Sequence, residues 1–267
     1  MANNSILITG CQRSGTTLMH LILNSHPEIV SIDEAHYIPN QHQNYLNNPD
    51  YGPNVAFKLP TTAHNIKSLT QHRGKIIWML RDPRDVVCSM LKLVINAYNV
   101  KCPWACHPAG SGAEIYHSAS TICEYLKEPL ESLLQDYYPI AVKPTEIRNR
   151  HDAIVAGALC WELKNRLLQI YQQEGIDFHL LSYDALIASP QTVLLEVVEY
   201  LELPWNDDML RHHQLHNGMS TGNTDNTRPI DPKNNKKWQS FFSDEEVELV
   251  MSYCAATAKR CGLNIFQ

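Results

Sequence analysis

The fold is decided by the stretch GCQRSGTT, residues 10–17. Two glycines bracket four residues and are followed at once by two hydroxyl side chains, which is the spacing of a P-loop. An apolar run from Ser5 to Thr9 precedes it and predicts a short buried strand, and helical spacing of apolar residues follows from Thr16 to Ser25. A loop in this context presents backbone N–H groups and a helix N-terminus to an anion. The stretch therefore predicts a phosphate-binding loop between a strand and a helix.

Strands and helices alternate along the rest of the chain. Apolar runs predict three further strands, at Val55–Leu59, Lys75–Leu80 and Phe178–Tyr183. Helical spacing and capping residues predict later helices that begin near Pro83, Ile154, Pro190 and Ser243. Strands that alternate with helices form parallel sheets covered on both faces. The prediction is an α/β fold, a P-loop-type parallel sheet flanked by helices on both faces, in a single domain spanning residues 1–267.

Two stretches lack a clear periodic pattern. Residues 96–150 are rich in Pro, His and Tyr, with a weak helical signal only around residues 122–134. Residues 206–237 are polar and rich in Asn. Because long irregular segments in compact domains are often functional, we expect both stretches to be loops that cover the substrate or the nucleotide.

The overall charge limits the partners of this chain. The formal net charge is -6, whereas binding to nucleic acid or to an anionic membrane needs a broad basic surface. We therefore expect no nucleic-acid partner and no membrane partner, and any bound anion must lie in a local basic pocket. The first residues show no secretory signal, and eight cysteines without such a signal favour a reducing compartment. The expected location is the cytoplasm.

The loop differs from that of nucleoside triphosphate enzymes at one position. Thr16 stands where those enzymes carry a lysine for the β- and γ-phosphates, beside a bound Mg²⁺. The positive charge is instead at Arg13, within the loop. This pattern favours a shorter phosphate chain that is bound without a metal ion. A chance glycine turn and a P-loop kinase acting on a small hydroxyl compound are the alternatives.

Four segments, in the right order, resemble the PAPS-dependent sulfotransferase family (PAPS is 3′-phosphoadenosine 5′-phosphosulfate). CQRSGTTLM at 11–19, continuing to SHPE at 25–28, resembles the 5′-phosphosulfate-binding loop, above all that of the tyrosylprotein sulfotransferase branch. IIWMLRDPRDVVCSM at 76–90 resembles the 3′-phosphate-binding strand and helix. Residues 181–205 and the pair Lys237-Trp238 are similar to two later segments of the family. Together the four segments cover most of the chain outside residues 96–150.

The resemblance implies which residues bind the nucleotide. The 5′-phosphosulfate would be bound by the loop residues Arg13, Ser14, Gly15, Thr16 and Thr17. The rest of PAPS would be bound from later segments, by Arg81 and Ser89 at the 3′-phosphate, by Tyr183 near the adenine, and by Lys237. PAPS would be the co-substrate and PAP, the desulfated nucleotide, the product, with no metal ion. Cytosolic relatives carry Arg-Lys-Gly where this chain has Asp-Pro-Lys at 231–233, so that part of the nucleotide site departs from the family.

Sulfuryl transfer sets two further requirements. A hydroxyl oxygen attacks sulfur in line with the leaving phosphate oxygen, so a base must take the proton and a cation must stabilise the leaving oxygen. The resemblance implies Glu34 as the base and Lys58 as the cation, with Arg13 in the catalytic set. Apart from the resemblance, Glu34 beside Asp33 is typical of a solvated surface carboxylate, and Lys58 of a strand-end lysine that reaches water.

The acceptor is predicted from charge. Tyrosylprotein sulfotransferases recognise acidic peptides and carry arginines just after the base, whereas residues 35–40 here read AHYIPN. Neither Lys nor Arg occurs between Arg13 and Lys58, and a net negative chain would repel an acidic peptide. We therefore expect a neutral or apolar small-molecule hydroxyl acceptor. An acidic tyrosyl peptide is the alternative acceptor, and a non-catalytic protein that binds PAP is the alternative function.

Other side chains suggest further functions. The stretch 96–150 contains the aromatic residues Tyr98, Trp104, Tyr116 and Tyr125. They either form part of the acceptor pocket or pack in the core. His36 and His64 are reserve candidates for the base. Two clusters could ligate a metal, Cys102 with Cys106 and His107, and His212 with His213 and His216. The first has no second ligand pair at zinc-finger spacing, and the second is expected to lie in an exposed polar loop, so we predict no metal site.

Overall fold

A five-stranded parallel sheet is the framework of the fold in the computed structural model, which describes residues 3–69, 74–98, 112–135, 149–220 and 224–263. Its strands are β1 (Asn4–Gly10), β2 (Ile29–Asp33), β3 (Asn54–Lys58), β4 (Lys75–Leu80) and β5 (His179–Ser182). Their order is β2-β3-β1-β4-β5, and every neighbouring pair is parallel. The inner strands β1 and β4 are apolar because both are covered by other parts of the protein. In each of them, every residue except the first is buried.

Eleven α-helices occur in the described residues. They are α1 (Thr16–Leu23), α2 (His42–Asn47), α3 (Ile66–Leu69), α4 (Pro83–Tyr98), α5 (Gly112–Leu126), α6 (Leu130–Leu134), α7 (Arg150–Gln173), α8 (Tyr183–Ala188), α9 (Pro190–Leu201), α10 (His212–Leu215) and α11 (Asp244–Arg260). Short 3₁₀ helices occur at Pro49–Tyr51, Pro60–Asn65, Asp207–Met209 and Lys237–Ser240. The strands β6 (Met219–Ser220) and β7 (Thr224–Asp225) form an antiparallel pair. The predicted α/β class, a P-loop-type parallel sheet flanked by helices, is confirmed.

The strand order places the P-loop-like segment at a switch point of the sheet. β1 lies between β3 and β4, and the chain completes β2 and β3 on one side before it forms β4 on the other. Sheets of this kind bind ligands outside the carboxyl ends of the strands at such a point. The register pairs Lys58 with Ile8 on one side and with Asp33 on the other. The side chains that end β2 and β3 therefore lie at the same edge of the sheet as the carboxyl end of β1.

The contacts within the chain divide it into two compact units. The first comprises Met1–Gly10, Gly15–Leu80 and Asp177–Asn234, and it holds the sheet together with α1–α3 and α8–α10. The second comprises Cys11–Ser14, Arg81–Ile176 and Asn235–Gln267, and in it α7 packs against α4, α5 and α11. A single domain over residues 1–267 stays a prediction.

Several predicted elements are confirmed at or near their predicted bounds. β4 and α9 have the residues that the sequence predicts, and α4 begins at Pro83. The N–H of Arg84 donates to Asp82 Oδ1 at 2.8 Å, as expected of a capping aspartate before that helix. The capping box of α11 forms as predicted, with Ser243 and Glu246 each accepting from the backbone N–H of the other.

Two expectations about the elements are corrected. The sequence does not predict β2, a short strand at the edge of the sheet that ends in an aspartate. The expectation of an irregular stretch at residues 96–150 is wrong for α5 and α6, because Ile115, Ala119 and Ile122 lie on one buried helical face. Residues 99–111 and 136–148 of that stretch, with Trp104, lie outside the described residues. The other stretch, 206–237, contains only short elements where it is described.

The longest helices also bear on the expectation that no membrane is involved. Within the described ranges, none of the helices combines the length and the apolar character that crossing a bilayer requires.

Gly15 is required by its backbone angle and by a close neighbour. Its φ is 97°, and an added Cβ would lie 2.4 Å from Cδ2 of Tyr183. Gly175 has a similar φ of 78° but nothing within 4 Å of such a Cβ, so it is a matched control. Gly15→Ala should combine left-handed strain of about 1–2 kcal/mol with an overpacking cost of about 1–3 kcal/mol, whereas Gly175→Ala carries the strain alone.

We therefore expect Gly15→Ala to lower the free energy of unfolding by roughly 1–3 kcal/mol more than Gly175→Ala, measured by urea denaturation. Equal losses in the two variants would show that the Tyr183 ring moves aside without cost.

Candidate active site

The loop after β1 has the tight backbone that the sequence predicts. At Gly10 a Cβ would lie 2.5 Å from the carbonyl oxygen of Met79, so β4 runs close against it. Arg13 adopts a left-handed φ of 68°, and the N–H of Ser14 donates to Cys11 O at 3.2 Å. The hydroxyl of Ser14 is buried and has no hydrogen-bond partner among the described residues. A left-handed residue inside a turn is typical of backbone nests that bind anions.

A buried ion cluster lies at the carboxyl ends of β2 and β3. Nζ of Lys58 lies 2.8 Å from Oδ2 of Asp33, 3.1 Å from Oε1 of Glu34, and 3.4 Å from Oγ1 of Thr17 in the first turn of α1. The Lys58 side chain is only 1% exposed, so the interpretation of a lysine that reaches water is wrong. Burial of an ammonium group is tolerated only where anions and hydrogen bonds compensate the lost hydration. The structure thus brings together Glu34, Lys58 and Thr17, three residues of the predicted site.

Asp33 is a member of this cluster that the sequence does not predict. Its side chain is 8% exposed, against 19% for Glu34, and it makes the shorter contact with Lys58. Its Oδ1 also accepts the N–H of Ala35 at 2.9 Å, which orders the turn that contains Glu34. Asp33 therefore compensates the Lys58 charge, while Glu34 is the more accessible carboxylate. The adjacent acidic pair is a signal in the sequence, but it is informative only once β2 is known to end there.

Three predicted nucleotide-binding residues contact one another in the second unit. Nε of Arg13 donates to Oγ of Ser89 at 3.0 Å, and Nη1 of Arg81 donates to the carbonyl oxygen of Arg13 at 3.2 Å. Arg81 also lies 3.8 Å from Asp85, one helical turn along α4. Arg81 is buried despite its charge. The buried Arg81 and the partly buried Arg13 place guanidinium donors beside a serine hydroxyl, and these are groups that bind phosphate well.

The segment that contains Lys237 is held by α4. Asp85 accepts the backbone N–H of Lys236 at 2.7 Å and that of Trp238 at 3.3 Å. The guanidinium of Arg84 lies 4.1 Å from the centre of the Trp238 ring, a cation–π contact. Lys237 itself is exposed. The predicted Lys237-Trp238 pair is therefore fixed at its backbone, while the lysine side chain extends outward.

A buried lysine on α7 contacts the loop and is not predicted from the sequence. Nζ of Lys164 contacts Oε1 of Gln12, and the Lys164 side chain is almost fully buried. One helical turn earlier, Nε1 of Trp161 donates to the carbonyl oxygen of Arg81 at 3.0 Å. This face of α7 therefore contacts both Gln12 of the loop and Arg81. A lysine in the middle of the apolar pattern of α7 is the signal that could have identified it.

Tyr183, predicted to lie near the adenine, is buried at the start of α8. Its hydroxyl accepts a hydrogen bond from Nδ2 of Asn234, and its ring lies against the backbone of Gly15. Thr16 is buried at the first position of α1. Tyr183 therefore borders the helix that follows the loop.

The histidines have different environments. His36, a reserve base, is exposed, and His64 is partly buried in a 3₁₀ helix. Burial lowers the pKa of His20 to about 4, opposed by the nearby carboxylate of Asp33 and assisted by the charge of Lys58. Burial likewise lowers the pKa of His212 to about 4. His212, the first residue of α10, is fully buried, so the expectation of an exposed loop is wrong for this residue.

Two of the aromatic residues that could line the acceptor pocket or pack in the core lie on α5. Tyr116 and Tyr125 are exposed on α5, so they do not pack in the core. No group of three or more potential ligands is placed to hold a metal ion within the part of the chain that the structure describes. The cluster of Cys102, Cys106 and His107 lies outside the described residues.

The chain belongs to the sulfotransferase family, a class of transferases, since the profile of the Sulfotransferase domain matches residues 3–262. One curated relative is Protein-tyrosine sulfotransferase A of Caenorhabditis elegans, 25% identical over 222 residues. That alignment covers 79% of this chain and 53% of the relative, so the chain spans about half of the relative's length. The predicted resemblance to the family, and to its tyrosylprotein branch, is confirmed.

Solved structures share the fold. The sulfotransferase domain from the Synechococcus PCC 7002 olefin synthase is 15% identical with a TM-score of 0.55, and 95% of each chain is covered. Mouse sulfotransferase SULT7A1 complexed with PAP is 13% identical with a TM-score of 0.54, covering 96% of this chain and 85% of that one. At these identities the likeness extends to the fold alone.

The depressed pKa of His20 has a consequence for stability. The folded pKa of about 4 lies below the ordinary value of 6.5, so the unfolded chain binds the proton more readily between these values. Stability from this group is complete above pH 6.5 and falls as the pH drops toward 4, with a slope of at most about 1.4 kcal/mol per pH unit. We expect His20→Gln to flatten the dependence of the unfolding free energy on pH between 5 and 7. An unchanged slope in the variant would contradict this origin.

Proposed function

We propose that this chain transfers the sulfuryl group from PAPS to the hydroxyl group of a neutral small molecule. The observation that carries the proposal is the buried contact of Lys58 with Glu34, at 3.1 Å, beside Thr17 in the first turn of α1. A base, a cation and an anion-binding helix start are the parts that sulfuryl transfer requires. Membership of the sulfotransferase family supports PAPS as the donor.

The reaction is an in-line displacement at sulfur. The acceptor oxygen forms a bond to the sulfur of PAPS, while the bond between sulfur and the 5′-phosphate oxygen breaks. Glu34 takes the proton of the attacking hydroxyl, and the products are a sulfate ester and PAP. Lys58 stabilises the negative charge that develops on the departing oxygen. Arg13 and the N–H groups of residues 14–17 hold the 5′-phosphosulfate.

The remaining nucleotide contacts are assigned to the second unit and to Tyr183. Arg81 and Ser89 bind the 3′-phosphate, which is supported by their contacts with Arg13. Tyr183 borders the adenine. Lys237 is exposed on a segment that Asp85 fixes, so its ammonium can reach an anionic nucleotide without a change of the backbone.

The proposed acceptor is neutral rather than an acidic peptide. The curated relative is named for its action on protein tyrosine, and an acidic tyrosyl peptide is the second candidate acceptor on that ground. Lysine or arginine would be needed to bind it, yet the stretch after Glu34 reads AHYIPN and contains neither. None of the cysteines in the described part forms a disulfide bond, which supports the proposed cytoplasmic location.

Two measurements test the proposal. PAP at about 100 times its Kd should stabilise the protein by about 2.7 kcal/mol, and ATP with Mg²⁺ should stabilise it far less. Incubation with PAPS and a set of hydroxyl compounds should then give sulfated products, detected by mass spectrometry. Stabilisation by Mg²⁺-ATP in the absence of any response to PAP would overturn the proposal in favour of a kinase.

The role of Glu34 can be separated from that of Asp33. Glu34→Gln removes the base but keeps a similar shape, so kcat should fall by about 10²–10⁴ while PAP still stabilises the protein. Asp33→Asn removes the closer partner of Lys58 and should mainly reduce stability, measured by thermal unfolding. If Asp33→Asn abolishes turnover and Glu34→Gln does not, the base is Asp33.

The role of Ser89 can be measured with two nucleotides. Ser89→Ala should weaken the binding of PAP by about tenfold, because a hydrogen bond to a charged phosphate is lost. The binding of adenosine 5′-phosphate, which has no 3′-phosphate, should change much less, so the preference for PAP falls in calorimetric titration. Ser118→Ala is the matched control, since Ser118 is a buried serine on α5 whose hydroxyl has no partner among the described residues. Equal effects on the two nucleotides would contradict the assignment.

A further inference from the structure

A cleft of 570 Å³ lies within the first unit, lined by α1, the edge strand β2 and the segment that holds β6 and β7. Its volume is in the range of about 300–1,000 Å³ that is typical of sites for small molecules. We propose that this cleft binds the acceptor, and that the acceptor is a neutral ring compound with a second hydroxyl group besides the reacting one. The proposal rests on the proposed sulfuryl transfer, and it names the place and the chemical class of the acceptor.

The cleft is connected to the reacting groups through β2 and the turn after it. Asp33 forms part of its wall and is bonded to Lys58 at 2.8 Å. Ala35 and His36 line it as well, so the chain on both sides of Glu34 borders the cleft. Glu34 itself is not among the lining residues, so the reacting hydroxyl of a compound bound here would extend from the cleft past this turn to reach its carboxylate.

The charge of the lining selects a neutral compound. None of the described residues that line the cleft is a lysine or an arginine. The charge of Asp33 is compensated by Lys58. His20 lines the cleft, accepts or donates a hydrogen bond at 2.7 Å with Ser31, and is uncharged at neutral pH because burial lowers its pKa to about 4. Among the described lining residues an anionic acceptor therefore finds neither lysine nor arginine to compensate its desolvation.

Two features of the wall select a ring with a second donor. The rings of Tyr45 and Tyr51 line the cleft with their centres 5.8 Å apart, edge to face, and offer a flat ring an aromatic surface. Asn226 also lines the cleft. Its Nδ2 donates to Asn217 O at 3.1 Å, while its buried Oδ1 has no hydrogen-bond partner among the described residues. That oxygen can accept a hydrogen bond from a second hydroxyl of the bound compound.

Three matched acceptors test the chemical class. Resorcinol is a neutral ring with two hydroxyls, 3-methoxyphenol has one of them blocked, and 3-hydroxybenzoate carries a negative charge instead. With PAPS as donor, we expect kcat/KM to fall about tenfold from the first to the second and further to the third. Asn226→Ala should bring resorcinol and 3-methoxyphenol within about twofold of each other. Preference for 3-hydroxybenzoate or for an acidic tyrosyl peptide would overturn the proposed class.

A blocked cleft tests the place. Ser220→Trp inserts a large ring into the lining, and Leu215→Trp places the same ring at an exposed position of α10 outside the lining. Both variants should keep thermal stabilisation by PAP, and Ser220→Trp alone should lose sulfation of resorcinol, by at least about tenfold. Equal rates in the two variants would place the acceptor elsewhere.

The two proposals fail in different ways. A protein that neither binds PAP nor consumes PAPS contradicts sulfuryl transfer itself, and the assignment of the cleft falls with it. A protein that binds PAP and sulfates other hydroxyl compounds, but none of these three above the rate with water, retains the proposed function and loses the cleft proposal.

Discussion

The buried ammonium group of Lys58 is the interaction on which the rest of this site depends. An ammonium group without partners would cost several kcal/mol to bury, so carboxylates must lie beside it. The parallel register supplies them, because it sets Asp33 directly beside Lys58 at the ends of two neighbouring strands. Asp33 in turn orders the turn that contains Glu34 through the N–H of Ala35. One buried charge therefore ties together two strand ends and the loop between β2 and α2.

The same charge connects the sheet to the helix after the loop. Thr17 lies in the first turn of α1, and its hydroxyl is 3.4 Å from the ammonium group. Gly15, just before that turn, is held against the ring of Tyr183. The start of α1 is thus located from two sides, by a polar contact and by an aromatic ring. A helix start located in this way presents its N–H groups without further rearrangement, which is the property that an anion site needs.

Much of this fold could be predicted from the sequence, for reasons that differ between elements. β1 and β4 are continuous apolar runs, and α11 begins with a capping box that forms between neighbouring residues, so local sequence is sufficient for them. β2 could not be predicted, because a short edge strand ending in Asp33 has no strong pattern of its own. The polar residues on the exposed face of α5 obscure its helical pattern. The helix that carries Lys164 is evident in the sequence, but the contact of Lys164 with Gln12 depends on tertiary packing.

In the candidate site, too, some residues can be predicted from local sequence motifs and others are brought together only by folding. Motif residues such as Arg13, Arg81 and Ser89 could be named from resemblance, and the structure shows contacts among them. The acceptor side has no motif, because family members that share a fold at 13–15% identity need not share a substrate. Its lining comes from parts of the chain far apart in sequence, such as His20 and Asn226. Such a surface exists only after folding.

The arrangement around Lys58 also has a consequence for timing. An ammonium group has three hydrogens, and among the described residues two carboxylates and a threonine hydroxyl lie within reach of them. On the proposed roles, a donor molecule that engages this lysine must displace one of them. If the displaced group is Glu34, it loses its counter-ion at that moment and becomes a stronger proton acceptor. Loading of the nucleotide and arming of the base would then be a single event, so the base would reach its full strength only while the donor is bound.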